Sequence, residues 1–252
     1  MTRPTSFRLR LDQLLVERGL FESRARARDA VLRGTVRVAG AVAEKPGQAV
    51  AANAEITVED PGRAYVSRAA LKLIHGLDTF SLDPRDAHAL DIGASTGGFT
   101  QVLLEWGVAH VTTIDVGTGQ MDARLEADPR VTAIEGLNAR HLTLDALAGR
   151  RPDFLVSDVS FISLKLALPP ALDLAAPGAK GLFLVKPQFE AGREAIGKGG
   201  LLRAKERGEE IARDIAAWLA TNGDWRTLGF VPSPIDGGDG NREFLLAGRK
   251  QA

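Results

Sequence analysis

The chain has 252 residues, of which 44% are hydrophobic, and its 32 basic side chains balance its 32 acidic ones. A chain of this length can bury one full α/β core and still form a small accessory domain. It contains no cysteine, which excludes disulfides, thiolate zinc sites and cysteine nucleophiles. The four histidines show no close metal-ligand spacing, so we expect no metal ion. A net charge of zero argues against a protein that simply coats nucleic acid.

No apolar run in the sequence approaches the roughly 20 residues that span a bilayer. The longest candidate, residues 166–185, is interrupted by three prolines, an aspartate and a lysine. The arginine-rich N-terminus lacks the apolar core of a signal peptide. We therefore expect a cytoplasmic protein that makes no use of a membrane, and we expect it to be a monomer.

The first 37 residues are strongly basic, with an excess of five positive charges. All of their basic side chains are arginines, whose planar guanidinium group binds phosphate through two hydrogen bonds. The nine arginines are Arg3, Arg8, Arg10, Arg18, Arg24, Arg26, Arg28, Arg33 and Arg37. Such a charge run is typical either of a phosphate-binding surface or of a solvated helix face.

Two short helices are predicted within this basic region. Apolar residues recur there at helical spacing in two groups, Leu11, Leu14 and Leu15, then Ala27, Ala30 and Val31. Gly19 is placed to end the first helix and Ser23 to cap the second. A strand at 36–38, a turn around Gly40 and a strand near 55–58 are predicted to follow.

Residues 8–60 contain the stretches Arg8–Asp12, Gly19–Arg24 and Gly34–Val38, followed by Lys45 and Pro46. Together these stretches resemble the S4 RNA-binding module. The resemblance implies an RNA partner without implying a chemistry. The arginines expected to contact RNA are Arg8, Arg10, Arg24, Arg26 and Arg28. The asparagine-glycine pair usual in the hairpin of this module is Ala39-Gly40 here, a departure that concerns the geometry of the turn.

The stretch at 61–66 is the predicted linker between two domains, because Pro61 and Gly62 stop the small domain. We therefore assign residues 1–60 to the small domain and residues 67–252 to a larger one. A helix is predicted to start near Ser67, with Arg68 and Lys72 four positions apart on one face. That face either carries two exposed cations or contributes to a site, with Arg68 as a further candidate for RNA contact.

From residue 88 onward the pattern alternates strands and helices, as in a doubly wound, mostly parallel sheet of the Rossmann type. The predicted strands are 87–92, 110–115, 131–134, 153–158 and 181–186, with a closing hairpin formed by 226–231 and 242–247. Helices are predicted at 99–106 and within 201–221. Ligands of such sheets bind outside the carboxyl ends of the strands.

A glycine-rich loop follows the first of these strands. Its spacing, G-x-x-x-G-G from Gly93 to Gly98, matches neither the dinucleotide fingerprint nor a P-loop, so a phosphate cradle is disfavoured. S-adenosylmethionine fits better, because it carries an amino group and a sulfonium but no phosphate. Asp115, about 20 residues beyond the loop, is placed to accept hydrogen bonds from ribose hydroxyls. The candidate cofactor residues are Asp91, Gly93, Ser95, Thr96, Gly97, Gly98, Phe99, Asp115, Gln120 and Asn138. For Asn138 the alternative is a turn-forming role.

Two charged residues end predicted buried strands, Asp158 at the end of 153–158 and Lys186 at the end of 181–186. Pro187 cannot continue a central strand, so Lys186 is expected at the rim where the cofactor binds. The alternative for each residue is a strand-end charge that turns to solvent.

Five segments of the larger domain form a recognisable set: Ser67–Leu73, Asp91–Phe99, Ser157–Asp158, Leu184–Pro187 and Asn241–Phe244. Together they resemble the FtsJ-like ribose 2'-O-methyltransferases, which carry a Lys-Asp-Lys-Glu tetrad. With the S4 module in front, the chain from about residue 8 to 249 resembles the TlyA family of ribosomal RNA methyltransferases, also called hemolysins. The resemblance implies that the tetrad is Lys72, Asp158, Lys186 and Glu243, and that the substrate is a cytidine 2'-hydroxyl in ribosomal RNA or ribosomal subunits.

A ribose hydroxyl must lose its proton as it attacks the sulfonium methyl. A free lysine titrates near about 10.4, so a lysine base needs burial or a neighbouring cation. We assign Lys186 as the base and Asp158 as the group that orients it, with Lys72 and Glu243 as a supporting pair. Alignment contributes at least as much as the base itself.

Two other functions remain open at this point, a non-catalytic RNA-binding factor in ribosome assembly and a membrane-lysing protein. The four tetrad residues argue against the first, and the absence of a spanning segment argues against the second. Residues 188–202 are rich in glycine and form either a mobile flap over RNA or a disordered loop.

Overall fold

The computed structural model describes residues 7–222 and 224–252. Arg3, counted above among the basic residues, lies outside these ranges. The chain divides into two compact units, Met1–Ala64 and Tyr65–Ala252. The residues Pro61–Ala64, inside the predicted linker, form a short 3-10 helix.

The described part of the first unit, residues 7–64, contains two α-helices and five short strands before that 3-10 helix. They are β1 (Arg8–Arg10), α1 (Leu11–Glu17), α2 (Arg24–Leu32), β2 (Val36–Val38), β3 (Ala41–Val42), β4 (Ala49–Ala51) and β5 (Ile56–Val58). Strand β1 pairs with β4, and β2 pairs with both β3 and β5, all antiparallel. The two predicted helices are confirmed, and the Ser23 side chain caps α2 by accepting a hydrogen bond from the Arg26 N–H.

The turn between β2 and β3 explains the unusual Ala39-Gly40 pair. Ala39 has φ +49° and Gly40 has φ +80°, so both residues are left-handed. A two-residue hairpin of type I′ needs positive φ at both central positions, which glycine and asparagine adopt most easily. The turn therefore keeps its geometry, with strain concentrated at Ala39.

The second unit is built on a seven-stranded sheet in the order β11-β12-β10-β9-β6-β7-β8. Its strands are β6 (His88–Ile92), β7 (His110–Asp115), β8 (Val131–Glu135), β9 (Phe154–Ser157), β10 (Lys180–Val185), β11 (Trp225–Pro232) and β12 (Phe244–Lys250). Strands β10, β9, β6, β7 and β8 are parallel, whereas β12 runs antiparallel to β10 and to β11. The predicted mostly parallel sheet with a closing hairpin is confirmed.

Helices cover both faces of this sheet. They are α3 (Ala69–Phe80), α4 (Gly98–Glu105), α5 (Ala123–Glu126), α6 (Leu164–Ala167), α7 (Pro169–Leu174), α8 (Pro187–Glu190) and α9 (Arg207–Leu219). Alternate residues of β9 enter different cores: Leu155 packs with α7 and α9, while Phe154 and Val156 pack with α3 and α4. This alternation is what burial on both faces requires. In the described ranges, every helix is too short or too polar to cross a membrane.

The order in which strands are added to the sheet reverses between β6 and β9, although these two strands are parallel. The chain runs outward from β6 through β7 to β8 and then returns to add β9 on the other side of β6. At such a switch point the loops leave in opposite directions, which opens a crevice at the carboxyl ends of the strands. The loop after β6, the end of β7 and the residues after β9 and β10 all lie at this edge.

Candidate active site

The glycine-rich loop connects β6 to α4 at the switch point. Gly93, Ser95 and Gly97 all have positive φ, at +82°, +47° and +93°. Both carboxylate oxygens of Asp115 accept backbone hydrogen bonds at 2.8 Å, one from Ser95 and the other from Gly117. The Ser95 hydroxyl donates to Gln120 at 3.1 Å. The structure thus brings the loop, Asp115 and Gln120 together.

Packing and backbone conformation explain why three of the loop positions are glycine. A Cβ on Gly93 would lie 3.1 Å from the carbonyl oxygen of Asp158, whereas Gly97 is favoured by its φ of +93°. A Cβ on Gly98 would lie 2.8 Å from the Cβ of Ser67. These glycines are needed to close the loop against its neighbours, in addition to any approach to a ligand.

Asp91 is fully buried beneath the loop, at 0% exposure. One carboxylate oxygen accepts a hydrogen bond from the Thr100 hydroxyl at 2.7 Å, and Oδ1 has no partner among the described residues. Burial, together with the charges of Asp158 and Asp115, raises the pKa of Asp91 to about 7. Because it is closed to solvent and bonded to Thr100 on α4, the Asp91 side chain links β6 to the helix that follows the loop. Phe99 is likewise buried in the core between the sheet and α3.

Two other candidate cofactor residues have different surroundings. Thr96 is exposed within the loop. The Asn138 side chain accepts a hydrogen bond from the Arg140 N–H at 3.0 Å and so caps the short helix Ala139–His141. Its side chain forms a turn, as in the alternative considered for it.

The four tetrad residues form two ion pairs. Lys72 on α3 is paired with Glu243, and both side chains are buried. Lys186 Nζ lies 2.6 Å from Asp158 Oδ1 and donates a hydrogen bond to the Ser160 hydroxyl at 2.7 Å. The side chains of Lys186 and Asp158 are only 11% and 19% exposed, so neither turns to solvent.

Strand register explains how distant residues meet here. In the antiparallel pair of β10 and β12, Val185 lies opposite Phe244. Lys186 directly follows β10 and Glu243 directly precedes β12, so both residues lie at the same edge of the sheet. Asp158 directly follows β9, the parallel neighbour of β10 on its other side. Helix α3 packs on the same part of the sheet and delivers Lys72.

The four charged groups share one electrostatic environment. Burial raises the pKa of Glu243, and the positive charges of Lys72 and Lys186 oppose that rise. Asp158 adds to the rise. The charge on any one of these residues therefore affects the others.

A cavity of about 370 Å³ opens beside Lys186 and Glu243. Its other lining residues include Phe161, Gln188, Phe189 and Asp239. Phe161 is 90% exposed and has φ +66°, an uncommon backbone conformation for a bulky residue. Sequence reasoning missed Ser160, Phe161, Gln188 and Asp239. Their only signal was proximity in sequence to Asp158, Lys186 and Glu243.

The glycine-rich segment predicted as a flap or a disordered loop forms one wall of this cavity. Ile196 and Leu202 form an isolated antiparallel bridge across it. The Asn241 side chain donates to the Gly200 carbonyl at 2.9 Å and accepts from the Leu202 N–H at 2.9 Å. Asn241 thereby ties the segment to the loop that carries Glu243.

In the first unit, most candidate RNA-binding arginines already have partners. Arg10 and Arg24 both bond the buried carboxylate of Asp12. Burial opposes ionisation of Asp12, but the hydrogen bonds and charges of these arginines prevail and lower its pKa to about 2. Arg8 donates to the Ala49 carbonyl.

Two arginines of α2, Arg26 and Arg28, differ in whether they have an ion-pair partner. Arg26 pairs with Glu22 at 3.0 Å. Arg28 is exposed, and no described residue forms an ion pair or hydrogen bond with it. In the second unit, Arg68 is half-buried at the start of α3.

Two family models match the chain. The model of the FtsJ-like methyltransferases matches residues 65–250, and the model of the S4 domain matches residues 9–56. The first match covers most of the second unit, including all four tetrad positions.

Individual relatives agree with these models over nearly the whole chain. The 16S/23S rRNA (cytidine-2'-O)-methyltransferase TlyA of Mycobacterium tuberculosis is 43% identical, with 97% of this chain and 91% of the relative covered. Hemolysin A of Brachyspira hyodysenteriae is 35% identical, with 94% and 98% covered. The solved structure of a candidate hemolysin from Streptococcus thermophilus superposes with a TM-score of 0.75 at 39% identity, covering 98% of this chain and 90% of that one. The chain therefore belongs to the FtsJ-like methyltransferases and, with its S4 domain, to the TlyA group of that family.

Proposed function

We propose that the protein transfers a methyl group from S-adenosylmethionine to the ribose 2'-hydroxyl of a cytidine in ribosomal RNA. The observation that carries this proposal is the pair of lysine–carboxylate contacts, Lys186 with Asp158 and Lys72 with Glu243, at the switch point of a methyltransferase sheet. The TlyA relatives are named for this reaction. The S4 domain supports an RNA partner, and ribosomes as substrate imply a cytoplasmic protein.

The crevice has groups that fit the proposed cofactor. Asp115 accepts one backbone hydrogen bond at each oxygen, and a carboxylate has further lone pairs for the hydroxyls of a ribose. The loop from Gly93 to Gly97, in which three residues have positive φ, would hold the rest of the molecule, with Gln120 beside it. When bound, S-adenosylmethionine would supply an electrophilic methyl group.

The tetrad would align and deprotonate the ribose hydroxyl. In its neutral form, Lys186 Nζ, held by Asp158 and Ser160, would take the proton as the hydroxyl oxygen attacks in line. Asp158 would stabilise the resulting ammonium. The buried Lys72–Glu243 pair would fix the ribose beside Lys186, since alignment supplies much of the rate of such a transfer.

Labelled cofactor and three RNA forms test this proposal: bare ribosomal RNA, isolated subunits and whole ribosomes. We expect label on a cytidine ribose in at least one form. Lys186→Ala should lower turnover by about 10²–10⁴-fold, the usual contribution of a general base, and keep the cofactor affinity measured by calorimetry. Lys165→Ala, which removes an exposed lysine on α6, is the charge-matched control.

Two outcomes contradict parts of the proposal. Wild-type turnover in the Lys186→Ala variant would show that Lys186 is not the base. Absence of label on every RNA form, with RNA binding intact, would favour a non-catalytic role in ribosome assembly.

A further inference from the structure

Gln188 has a buried hydrogen-bond acceptor that nothing in the described chain satisfies. It lies on α8, two residues after Lys186, and is 7% exposed. Its Nε2 donates to Asp239 Oδ2 at 3.1 Å, whereas its Oε1 accepts no hydrogen bond from any described residue. Because an ionised carboxylate can only accept, Asp239 fixes which end of the Gln188 amide is nitrogen and which is oxygen.

An orphan acceptor of this kind is uncommon in folded proteins. Most buried polar side-chain atoms have a partner, and leaving one without a donor costs stability. Such a group is retained more readily where a ligand supplies the missing donor. Gln188 lines the cavity that also contains Lys186 and Glu243, so a molecule that binds beside the tetrad and displaces the groups covering Oε1 could supply it.

The rest of the cavity indicates which kind of ligand group would donate. Asp239 adds a carboxylate to the same wall, so Gln188 and Asp239 both present oxygen acceptors. The rings of Phe161 and Phe189, with centroids 5.2 Å apart, supply apolar surface. This combination suits a planar aromatic ring that carries an amino group at its edge.

We infer that Gln188, with Asp239, selects the base of the acceptor nucleotide by binding an exocyclic amino group. Cytosine presents an N4 amino donor at the edge where uracil presents the O4 acceptor. The cavity oxygens would bind the first and repel the second. This inference rests on the proposed function, because it concerns the nucleotide whose ribose is methylated, and it makes Gln188 a specificity residue.

The test changes one chemical group of the substrate. The RNA found to be labelled, as transcript or assembled subunit, is prepared with cytidine, uridine or a 2-pyrimidinone nucleoside at the modified position. The pyrimidinone lacks only the 4-amino group of cytosine. We expect wild-type kcat/KM to fall about tenfold from cytidine to pyrimidinone, as for the loss of one buried hydrogen bond, and further for uridine.

Variants assign the preference to the cavity. Gln188→Met removes the acceptor at nearly constant shape, and should lower kcat/KM for cytidine to the pyrimidinone level while leaving that for pyrimidinone unchanged. Asp239→Asn, at an exposed position, should reduce the discrimination against uridine, because its amide can donate to O4. Gln251→Met makes the same chemical change at an exposed C-terminal position and should keep the wild-type preference.

The outcomes separate this inference from the function on which it rests. If the wild-type protein methylates cytidine and pyrimidinone equally well, the inference is wrong and the proposed function stands. If Gln188→Met and Asp239→Asn both keep the full preference, the selecting groups lie elsewhere. Should Gln188→Met fail to fold, the wild-type substrate comparison and Asp239→Asn still decide the question. If no RNA is labelled, the proposed function itself fails.

Discussion

Lys72 and Glu243 show how much one buried residue depends on its partner. The two are 171 positions apart in sequence, yet each covers the other's charge in an almost dry environment. Removing two charges from water is costly, and their attraction repays that cost only when both are present. The intact pair therefore adds little net stability, and its role in positioning the substrate is the better explanation for its presence.

Removing one member of the pair should destabilise the protein in a pH-dependent way. In Lys72→Met, Glu243 loses the positive charge that opposes the burial-driven rise of its pKa. A carboxyl whose pKa is raised by folding stabilises the folded state below its unfolded value near about 4.3, and that contribution is lost as pH rises through the folded value. We expect a loss of about 3–5 kcal/mol in the free energy of unfolding at pH 8, and a smaller loss at pH 5. Urea unfolding at the two pH values measures both.

The double variant Lys72→Met with Glu243→Leu separates stability from catalysis. It leaves neither charge of the pair, so we expect most of the lost stability to return. We expect methyl transfer to be lost in both the single and the double variant, because the pair that positions the ribose is gone. A single variant that unfolds like the wild type at both pH values would show that the pair is not energetically coupled.

The start of α4 and the start of α3 approach each other more closely than ordinary side chains allow. Gly98, the first residue of α4, faces Ser67, whose hydroxyl accepts a hydrogen bond from the Ala69 N–H at the beginning of α3. Close approach here fixes both the glycine loop after β6 and the helix that delivers Lys72. The contact between the starts of α3 and α4 therefore fixes the position of Lys72 relative to the glycine-rich loop.

Gly98→Ala tests this contact. Alanine is normally better than glycine inside a helix by about 0.5–1 kcal/mol. At this position its Cβ would lie 2.8 Å from the Cβ of Ser67, so we expect the opposite sign, a loss of about 1–3 kcal/mol from overpacking. Thermal unfolding measures it, and adding Ser67→Gly should restore part of the loss. A stabilised Gly98→Ala variant would mean that the two helices separate easily.

At the scale of the whole molecule, some arginines of the first unit form ion pairs within the fold, whereas others are available to contact RNA. Arg10 and Arg24 neutralise the buried Asp12, and Arg33 forms ion pairs with Asp29 and Asp60. These arginines hold the first unit together. Arg28 is exposed on α2 without such a bond, which makes it the better candidate for contact with RNA phosphate.

Arg28→Ala should weaken RNA binding without affecting the second unit. We expect the slope of log affinity against log salt to fall by about one, as for a lost phosphate contact. Cofactor affinity should not change, because the cofactor loop belongs to the other unit. Arg213→Ala, on the exposed face of α9, is the charge-matched control. An unchanged salt dependence in Arg28→Ala would remove Arg28 from the RNA-binding surface.

The sequence by itself determined the elements and their order. The strand predicted at 110–115 is β7 without a change of boundary, and the predicted helix caps, turns and closing hairpin reappear in place. These features follow from periodicity and turn chemistry, which act between residues close in sequence. The helix predicted within 201–221 is α9, which begins at Arg207, and Leu202 before it bonds instead to Asn241 from the far end of the chain.

The family resemblance already implied that the four tetrad residues act together, but only the tertiary structure decided how they pair and which side chains are left without a partner. Register across β9, β10 and β12 places Asp158, Lys186 and Glu243 at one edge, and packing of α3 buries Lys72 beside them. It also reveals the orphan oxygen of Gln188 and the use of Arg24 to neutralise Asp12. Burial and hydrogen-bond partners depend on strand order and close packing over long sequence distances, and local residue patterns carry no record of either.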